Sequence, residues 1–129
     1  MQLRDFEPSD LNSVFRVLIA NGWAHRIKSA DYLRQLVQAS QRTAVASLDG
    51  QVIGFARAIS DGLSNGYLSM VVVAEPWRHQ GVGRALVQHV VGLDPSITWV
   101  LRAGRTGAPG FFAKLGLVAS RDAMELRRR

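Results

Sequence analysis

The sequence of 129 residues contains no cysteine. Disulfides, thiolate catalysis and cysteine-ligated zinc sites are therefore excluded. No apolar run approaches the length of about 20 residues that crosses a membrane, and the N-terminus shows no signal-peptide pattern. We therefore expect a cytoplasmic protein that does not contact a membrane. The sequence also lacks repeats, linkers and low-complexity segments, which predicts a single domain over residues 1–129.

Positive charge dominates, because 16 lysines and arginines face 10 aspartates and glutamates and give a formal net charge of +6. A basic balance can indicate binding to nucleic acid or to another anionic surface. Here the arginines are spread along the chain, and only Arg127–Arg129 form a run, which we expect to be solvated. A basic nucleic-acid-binding domain is therefore an alternative, but a disfavoured one.

The most informative stretch of the sequence runs from Tyr67 to Gly92. Tyr67–Val73 is a short apolar run rich in β-branched residues, which predicts a strand that is covered on both faces. From Val82 onward, apolar residues recur at helical spacing, and Gly92 is a natural helix end. The sequence therefore predicts a strand, a basic turn with two glycines, and a helix, in that order.

The turn between strand and helix, Arg78–Arg84, has the features of an anion site. Gly81 and Gly83 lie beside the predicted helix start, where they let backbone N–H groups converge without an obstructing Cβ. The helix dipole and the charges of Arg78 and Arg84 favour a phosphate-bearing ligand. The spacing excludes a Walker loop, and Leu86 stands where a dinucleotide fingerprint has its third glycine.

The pattern Arg78-x-x-Gly81-x-Gly83 after a valine-rich strand resembles the signature of the GNAT superfamily of acyl-CoA-dependent N-acetyltransferases. A second segment, Ala108–Leu117, is similar to the downstream Ala-x-x-Phe-Tyr-x-Lys-Leu-Gly-Phe segment of that family and lies at the expected distance. The resemblance implies transfer of an acetyl group from acetyl-CoA to a primary amine of a small molecule or peptide, without a metal. Small domains of this family often form homodimers.

The remaining predicted elements complete a mixed α/β (α+β) fold of the GNAT kind. In chain order they are an edge strand near 1–6, a helix that begins near Pro8, a helix that begins at Ser29 or Asp31, strands 43–48 and 51–60 around the turn Asp49-Gly50, a strand at 97–101, a helix at 108–115, and a hairpin of 117–120 with 123–128. We expect a largely antiparallel sheet of about six or seven strands, flanked by about four helices.

The resemblance also implies which residues bind the coenzyme. In the family, backbone amides of the strand before the glycine loop pair with pantetheine, and the loop amides hold the pyrophosphate. The Val73 N–H would then polarise the thioester carbonyl. The full set of implied coenzyme-binding residues is Val71, Val72, Val73, Arg78, His79, Gln80, Gly81, Val82, Gly83, Arg84 and Phe112.

Fewer residues are implied to contact the acceptor amine. In the family, the loop between the first two helices borders the acceptor pocket, which implies substrate contacts from Trp23 and His25, although a Trp that pins the loop to the core is equally consistent. Asp61, in a turn-rich loop, either faces the amine or caps its own turn. A lysine-like amine, with a pKa of about 10.4, is protonated at pH 7, so a base is needed. His25, Asp61 and a water chain are the candidates.

One position departs from the family pattern. Phe112 stands where the family commonly has a tyrosine that protonates the departing thiolate, and phenylalanine has no proton to donate. Either the protein is an enzyme that releases thiolate directly or through water, or it is a degenerate module that binds acyl-CoA as a sensor or scaffold. Because thiolate is a tolerable leaving group near neutral pH, we favour the enzyme.

Overall fold

The computed structural model describes every residue from Met1 to Arg129. The five strands are β1 Gln2–Arg4, β2 Arg42–Leu48, β3 Gln51–Ser60, β4 Asn65–Val73 and β5 Thr98–Val100. They form one sheet in that order, in which neighbouring strands are antiparallel except for β4 and β5, which run parallel. The four helices are α1 Leu11–Leu18, α2 Ala30–Gln38, α3 Val82–Val91 and α4 Ala108–Lys114. None of these helices is long and apolar enough to cross a membrane.

Helices cover both faces of the sheet. On one face, Leu86 of α3 clusters with Ala56 of β3, whose small side chain lets the helix approach closely. On the other face, Leu18 of α1 and Leu33 of α2 cluster with Phe55. The sheet therefore lies between two apolar layers. Burial on both faces explains why β3, the middle strand of the sheet, is an almost continuous apolar run.

Local sequence signals predicted most of these elements correctly. Asp49 and Gly50 both have positive φ angles, 51° and 79°, as a two-residue hairpin turn requires, and they join β2 to β3. The Ser29 side chain accepts a hydrogen bond from the Tyr32 N–H at 3.0 Å and so caps the start of α2. Gly92 follows the last residue of α3, as predicted.

The sheet has five strands, so our expectation of six or seven was wrong. The predicted hairpin of 117–120 with 123–128 does not form. A strand needs both a paired backbone and a buried face. Because β5 has only three residues, it provides too short an edge for the predicted hairpin to pair with. The segment is instead tied to the domain by an ion pair between Arg102 and Glu125, at 2.9 Å. Its large apolar side chains stay exposed, namely Val118, Met124 and Leu126.

Candidate active site

The candidate site begins where β4 separates from β5. β5 pairs only with Asn65–Tyr67, whereas β4 continues beside β3 as far as Val73. From Leu68 to Val73, the side of β4 that faces β5 therefore has no partner strand. Unpaired backbone groups of this kind are available to an extended ligand.

The register of β3 and β4 decides which amides face this open edge. The Ala74 N–H donates to the Ile53 carbonyl at 2.8 Å, and residues of an antiparallel pair alternate between the two sides. The Val72 N–H therefore points to β3, and the N–H groups of Val71 and Val73 point to the open edge. Of the three amides that the family resemblance implied, the register directs these two toward a ligand.

The loop after β4 presents six further backbone donors. The N–H groups of His79–Arg84 donate no hydrogen bond within the chain, and the first helical bond runs from the Ala85 N–H to the Gly81 carbonyl at 3.1 Å. Positive φ angles at His79 (63°) and Gly81 (86°) turn the backbone into α3. Because unpaired donors at a helix N-terminus attract anions, this loop is suited to binding an anion.

The two glycines of the loop serve different purposes. At Gly81 there is room for a side chain, because a Cβ there would meet no atom within 4 Å. What requires glycine is the left-handed backbone conformation, which other residues rarely adopt. Gly83 lies inside α3 and needs its small size, because a Cβ there would lie 2.9 Å from Cζ of Phe111. The first glycine therefore shapes the loop, and the second lets α4 pack against α3.

These groups line an open cleft of about 670 Å³, which we call the β4–α3 cleft. Of the expected coenzyme-binding residues, those that line it are Val71, Val72, Val73, Arg78, His79, Gly81, Gly83, Arg84 and Phe112. Two others contribute no side chain to the cleft. The Gln80 amide donates to the Pro76 carbonyl at 3.1 Å, and the Val82 side chain is buried against the sheet.

The cleft is electropositive. Arg78, Arg84 and Lys114 line it, and no carboxylate does. Arg84 approaches the Lys114 carbonyl at 3.4 Å, so the start of α3 and the end of α4 meet at its rim. Phe112 packs edge-to-face against Phe111, with ring centroids 4.9 Å apart, and provides part of the apolar wall. Such a cleft suits a polyanion that has an uncharged arm.

Asn21 fixes the position of the loop, a role that the sequence did not indicate. Its side-chain oxygen accepts hydrogen bonds from the Glu75 N–H at 3.1 Å and from Arg78 Nη2 at 2.9 Å. Its side-chain nitrogen donates to the Val17 carbonyl at 2.8 Å. Arg78 Nε also donates to the Val73 carbonyl at 3.1 Å. Arg78 is therefore held between the turn after α1 and the end of β4, so the position of its charge beside the cleft is fixed.

A second pocket, of about 450 Å³, adjoins the cleft, and we call it the Trp23 pocket because Trp23 lines both. It is formed by the loop between α1 and α2, by α2, by β3 and β4, and by Arg128 near the C-terminus. His25 lines this pocket and is exposed. Of the three residues that the sequence offered for the acceptor side, Trp23 and His25 therefore lie at one pocket.

Trp23 is held in place by an arginine that the sequence did not single out. The guanidinium carbon of Arg105 lies 3.9 Å from the centre of the indole ring, and Nη2 donates to the Gly22 carbonyl at 2.9 Å. Partial burial lowers the pKa of Arg105, and the nearby charges of Arg26 and Arg78 lower it further. This stacking fixes the wall that separates the two pockets.

Asp61 lies outside both pockets. Its carboxylate accepts hydrogen bonds from the N–H groups of Leu63, Ser64 and Asn65, at 2.8, 2.8 and 3.1 Å. The bonds from Ser64, Leu63 and Asn65 hold the pKa of Asp61 below its usual range. Asp61 thus caps its own turn, the second of the two roles that the sequence allowed, and lines neither pocket.

Arg57 was also missed by the sequence reasoning. It lines the Trp23 pocket, yet it is only 6% exposed. The available signal was a single charge within the apolar stretch of β3. A lone cation in a central strand can be structural or functional, and only its surroundings in the fold distinguish the two.

Solved structures share this architecture. A GNAT-family acetyltransferase from Streptococcus pneumoniae is 20% identical, with a TM-score of 0.79 over 99% of this chain and 98% of that one. A probable acetyltransferase of unknown function from Staphylococcus aureus is 16% identical, with a TM-score of 0.79 over 98% of both chains. Ard1 from Thermoplasma volcanium is 22% identical, with a TM-score of 0.76 over 92% of this chain and 83% of that one.

Among curated proteins, none matches this chain significantly. The family model described as the acetyltransferase (GNAT) family matches residues 9–117. That span includes the open edge of β4, the loop of unpaired amides and α4. The chain therefore belongs to the GNAT family of acetyltransferases.

Proposed function

We propose that this protein transfers an acetyl group from acetyl-CoA to a primary amine of a small molecule or peptide. One observation carries the proposal: unpaired backbone donors continue from the loop His79–Arg84 to the open-edge amides of Val73 and Val71. Coenzyme A has a pyrophosphate at one end and an amide-bearing arm leading to its thiol. The loop suits the first, and the open strand edge suits the second.

The place of transfer follows from the junction of the two pockets. The residues of β4 that line the Trp23 pocket are Ser69 and Met70, and the next residue is Val71. The Val73 amide lies about 7 Å farther toward the phosphate loop, at about 3.3 Å per residue. We therefore propose the Val71 N–H, rather than the Val73 N–H of our sequence analysis, as the donor to the thioester oxygen.

In the proposed reaction, the amine nitrogen attacks the carbonyl carbon of the thioester. The C–N bond forms, the C–S bond breaks, and sulfur leaves as thiolate with the bonding electron pair. The surplus proton of the amine passes to a base or to water. His25, which lines the Trp23 pocket, and water are the remaining candidates for that base.

Deprotonating the acceptor is the larger energetic demand. A lysine-like amine costs about 4.6 kcal/mol to neutralise at pH 7, whereas a thiolate with a pKa near 8.5 costs about 2 kcal/mol. The cations around the Trp23 pocket disfavour an ammonium ion there and so lower the pKa of a bound amine. In the proposed mechanism, this lowered pKa reduces the first cost without a carboxylate base.

The direct test is a screen of primary amines with acetyl-CoA, in which release of free thiol reports turnover. Binding is tested separately by calorimetry with Gly81→Asp, which places a carboxylate where the phosphates are expected and should abolish acetyl-CoA binding. Gly62→Asp is the matched control, because Gly62 has a similar φ of 73° and equally open surroundings outside the cleft. Equal affinity in both folded variants would contradict the proposed phosphate site.

A second candidate function, acyl-CoA binding without turnover, is favoured by Phe112 alone. Phe112 lines the cleft at the position where the family commonly has its proton donor. Binding in calorimetry together with no thiol release for any amine would support this sensor function.

A further inference from the structure

The Trp23 pocket has an unbalanced charge. Four cationic side chains line it and no carboxylate does: Arg26, Lys28, Arg57 and Arg128. None of them takes part in an ion pair. An acceptor that carried only positive charge would be repelled from such a pocket.

Arg57 is the most informative of these cations, because it is buried. Its guanidinium donates to Ser40 Oγ at 2.9 Å, to Ser69 Oγ at 3.1 Å and weakly to the Leu36 carbonyl at 3.5 Å. All three acceptors are neutral, and Nε has no partner at all. A buried charge is costly unless a counter-charge compensates for it, and the chain supplies none here.

A β-bulge places Arg57 beside the point of transfer. Arg57 pairs with Met70 and the next residue, Ala58, pairs with Leu68, so Ser69 is an extra residue in β4. As a result, the consecutive residues Ser69 and Met70 both line the pocket, although neighbouring strand residues normally face opposite sides. The hydrogen bond from Arg57 to Ser69 therefore connects the buried cation to the start of the open strand edge.

We propose that the Trp23 pocket binds a compact anionic group of the acceptor, so that the substrate is an amine that also carries a carboxylate or a phosphate. The anion supplies the missing counter-charge to Arg57 and its surface neighbours. The amine is then directed along β4 toward the Val71 amide. This inference rests on the proposed function, since it names the substrate class of the same site.

The test compares pairs of amines that differ by one anionic group. 6-Aminohexanoate is compared with hexylamine, and O-phosphoethanolamine with ethanolamine, so that the two arms distinguish a carboxylate from a phosphate. Both kcat/KM by thiol release and affinity by calorimetry are measured. We expect the anionic member of at least one pair to be preferred about tenfold or more, as for charge-assisted hydrogen bonds.

Variants of the pocket's arginines test whether these residues cause the preference for the amine that carries an anionic group. Arg57→Met keeps an unbranched stem like that of arginine but removes the guanidinium, and it should reduce the preference at least about tenfold, while acetyl-CoA affinity stays unchanged. The double variant Arg26→Gln/Arg128→Gln changes only exposed side chains and should reduce it about threefold, which keeps the proposal testable if Arg57→Met does not fold. Arg16→Gln, on the exposed side of α1, is the matched control and should leave the preference unchanged.

Equal kcat/KM and equal affinity for the two amines of each pair, with and without the anionic group, would overturn the proposal. So would a preference that survives Arg57→Met in a folded protein, since Arg57 would then have a structural role. Failure of the proposed function gives a different result, namely no thiol release with any amine. In that case the calorimetric comparison of the paired amines still decides whether the pocket selects an anion.

Discussion

Phe112 is the residue at which the chemistry of this protein departs from its family pattern. Its ring lines the β4–α3 cleft and packs against Phe111. We predict that Phe112→Tyr leaves acetyl-CoA affinity nearly unchanged and either raises turnover or leaves it alone. General acid catalysis contributes about 10²–10⁴-fold where it is needed, so a gain within that range would show that the hydroxyl reaches the leaving sulfur.

The measurement is thiol release by the native protein and by the variant, with the best amine from the screen. Calorimetry with acetyl-CoA serves as the control for binding. If the native protein were inactive with every amine while Phe112→Tyr turned over, the enzyme interpretation would be wrong and the sensor interpretation would replace it.

At the level of single residues, the sequence indicated those parts of the candidate site whose features are local. Gly81 was interpreted as part of an anion-binding turn because it lies directly before a predicted helix, and its positive φ agrees with a turn at that position. Arg57 and Arg105 were missed because their roles depend on partners far away in the chain, such as Ser40 and Trp23. The roles of individual strand amides depend on the register with β3, which the sequence of β4 alone does not contain.

Among the structural elements, β1 and the start of α1 are joined by one ion pair. Arg4 binds Asp10 through two hydrogen bonds, at 2.6 and 2.8 Å, and the Asp10 carboxylate also accepts the Glu7 N–H at 2.8 Å. Asp10 is only 5% exposed, and its hydrogen bond with Arg4 lowers its pKa. We predict that Asp10→Asn reduces the free energy of unfolding by about 2 kcal/mol at neutral pH.

The sign of the pH dependence follows from the lowered pKa. The contribution of Asp10 is fully present above the pKa of the carboxyl group in the unfolded chain, about 3.9, and is lost as the pH falls through the lower value in the folded protein. Urea unfolding at pH 7, 5 and 3 should therefore show the two proteins converging toward acid. Asp122→Asn, which changes an exposed carboxylate, is the control. A difference that did not vary with pH would contradict the assignment.

Elements that are defined by local signals were predicted well, and those that need a partner were not. β3 has the predicted bounds, 51–60, because its mostly apolar run and the Asp49-Gly50 turn are both local signals. The C-terminal hairpin failed because its apolar residues indicate a strand only if the rest of the sheet offers an edge to pair with. Whether such an edge exists depends on the length of β5, which is set by contacts elsewhere in the fold.

For the whole molecule, the proposed function predicts coupling between acetyl-CoA and stability. A ligand that binds only the folded state, at a concentration of 100 times its Kd, adds about 2.7 kcal/mol. For a domain of this size, that corresponds to a rise in Tm of roughly 10 °C. Thermal unfolding with and without acetyl-CoA checks this, and Gly81→Asp should lose most of the shift while Gly62→Asp keeps it. An equal shift in both variants would indicate binding outside the loop.

The expected homodimer and cytoplasmic location stay predictions. The run Arg127–Arg129, expected to be solvated, is exposed throughout, with Arg127 paired to Glu125 at 2.7 Å. Arg128 nevertheless lines the Trp23 pocket. Its proximity to that pocket comes from the path of the final segment, which is irregular and carries no periodic pattern that could have indicated it.

The unpaired half of β4 has a consequence for the protein before it meets its ligand. An exposed strand edge is a template on which other chains can add strands, and natural proteins usually block such edges. Here the edge from Leu68 to Val73 ends in three valines and is left open by the shortness of β5. We therefore expect the ligand-free protein to aggregate more readily than the loaded one. On this view, the coenzyme acts as the missing strand of the sheet.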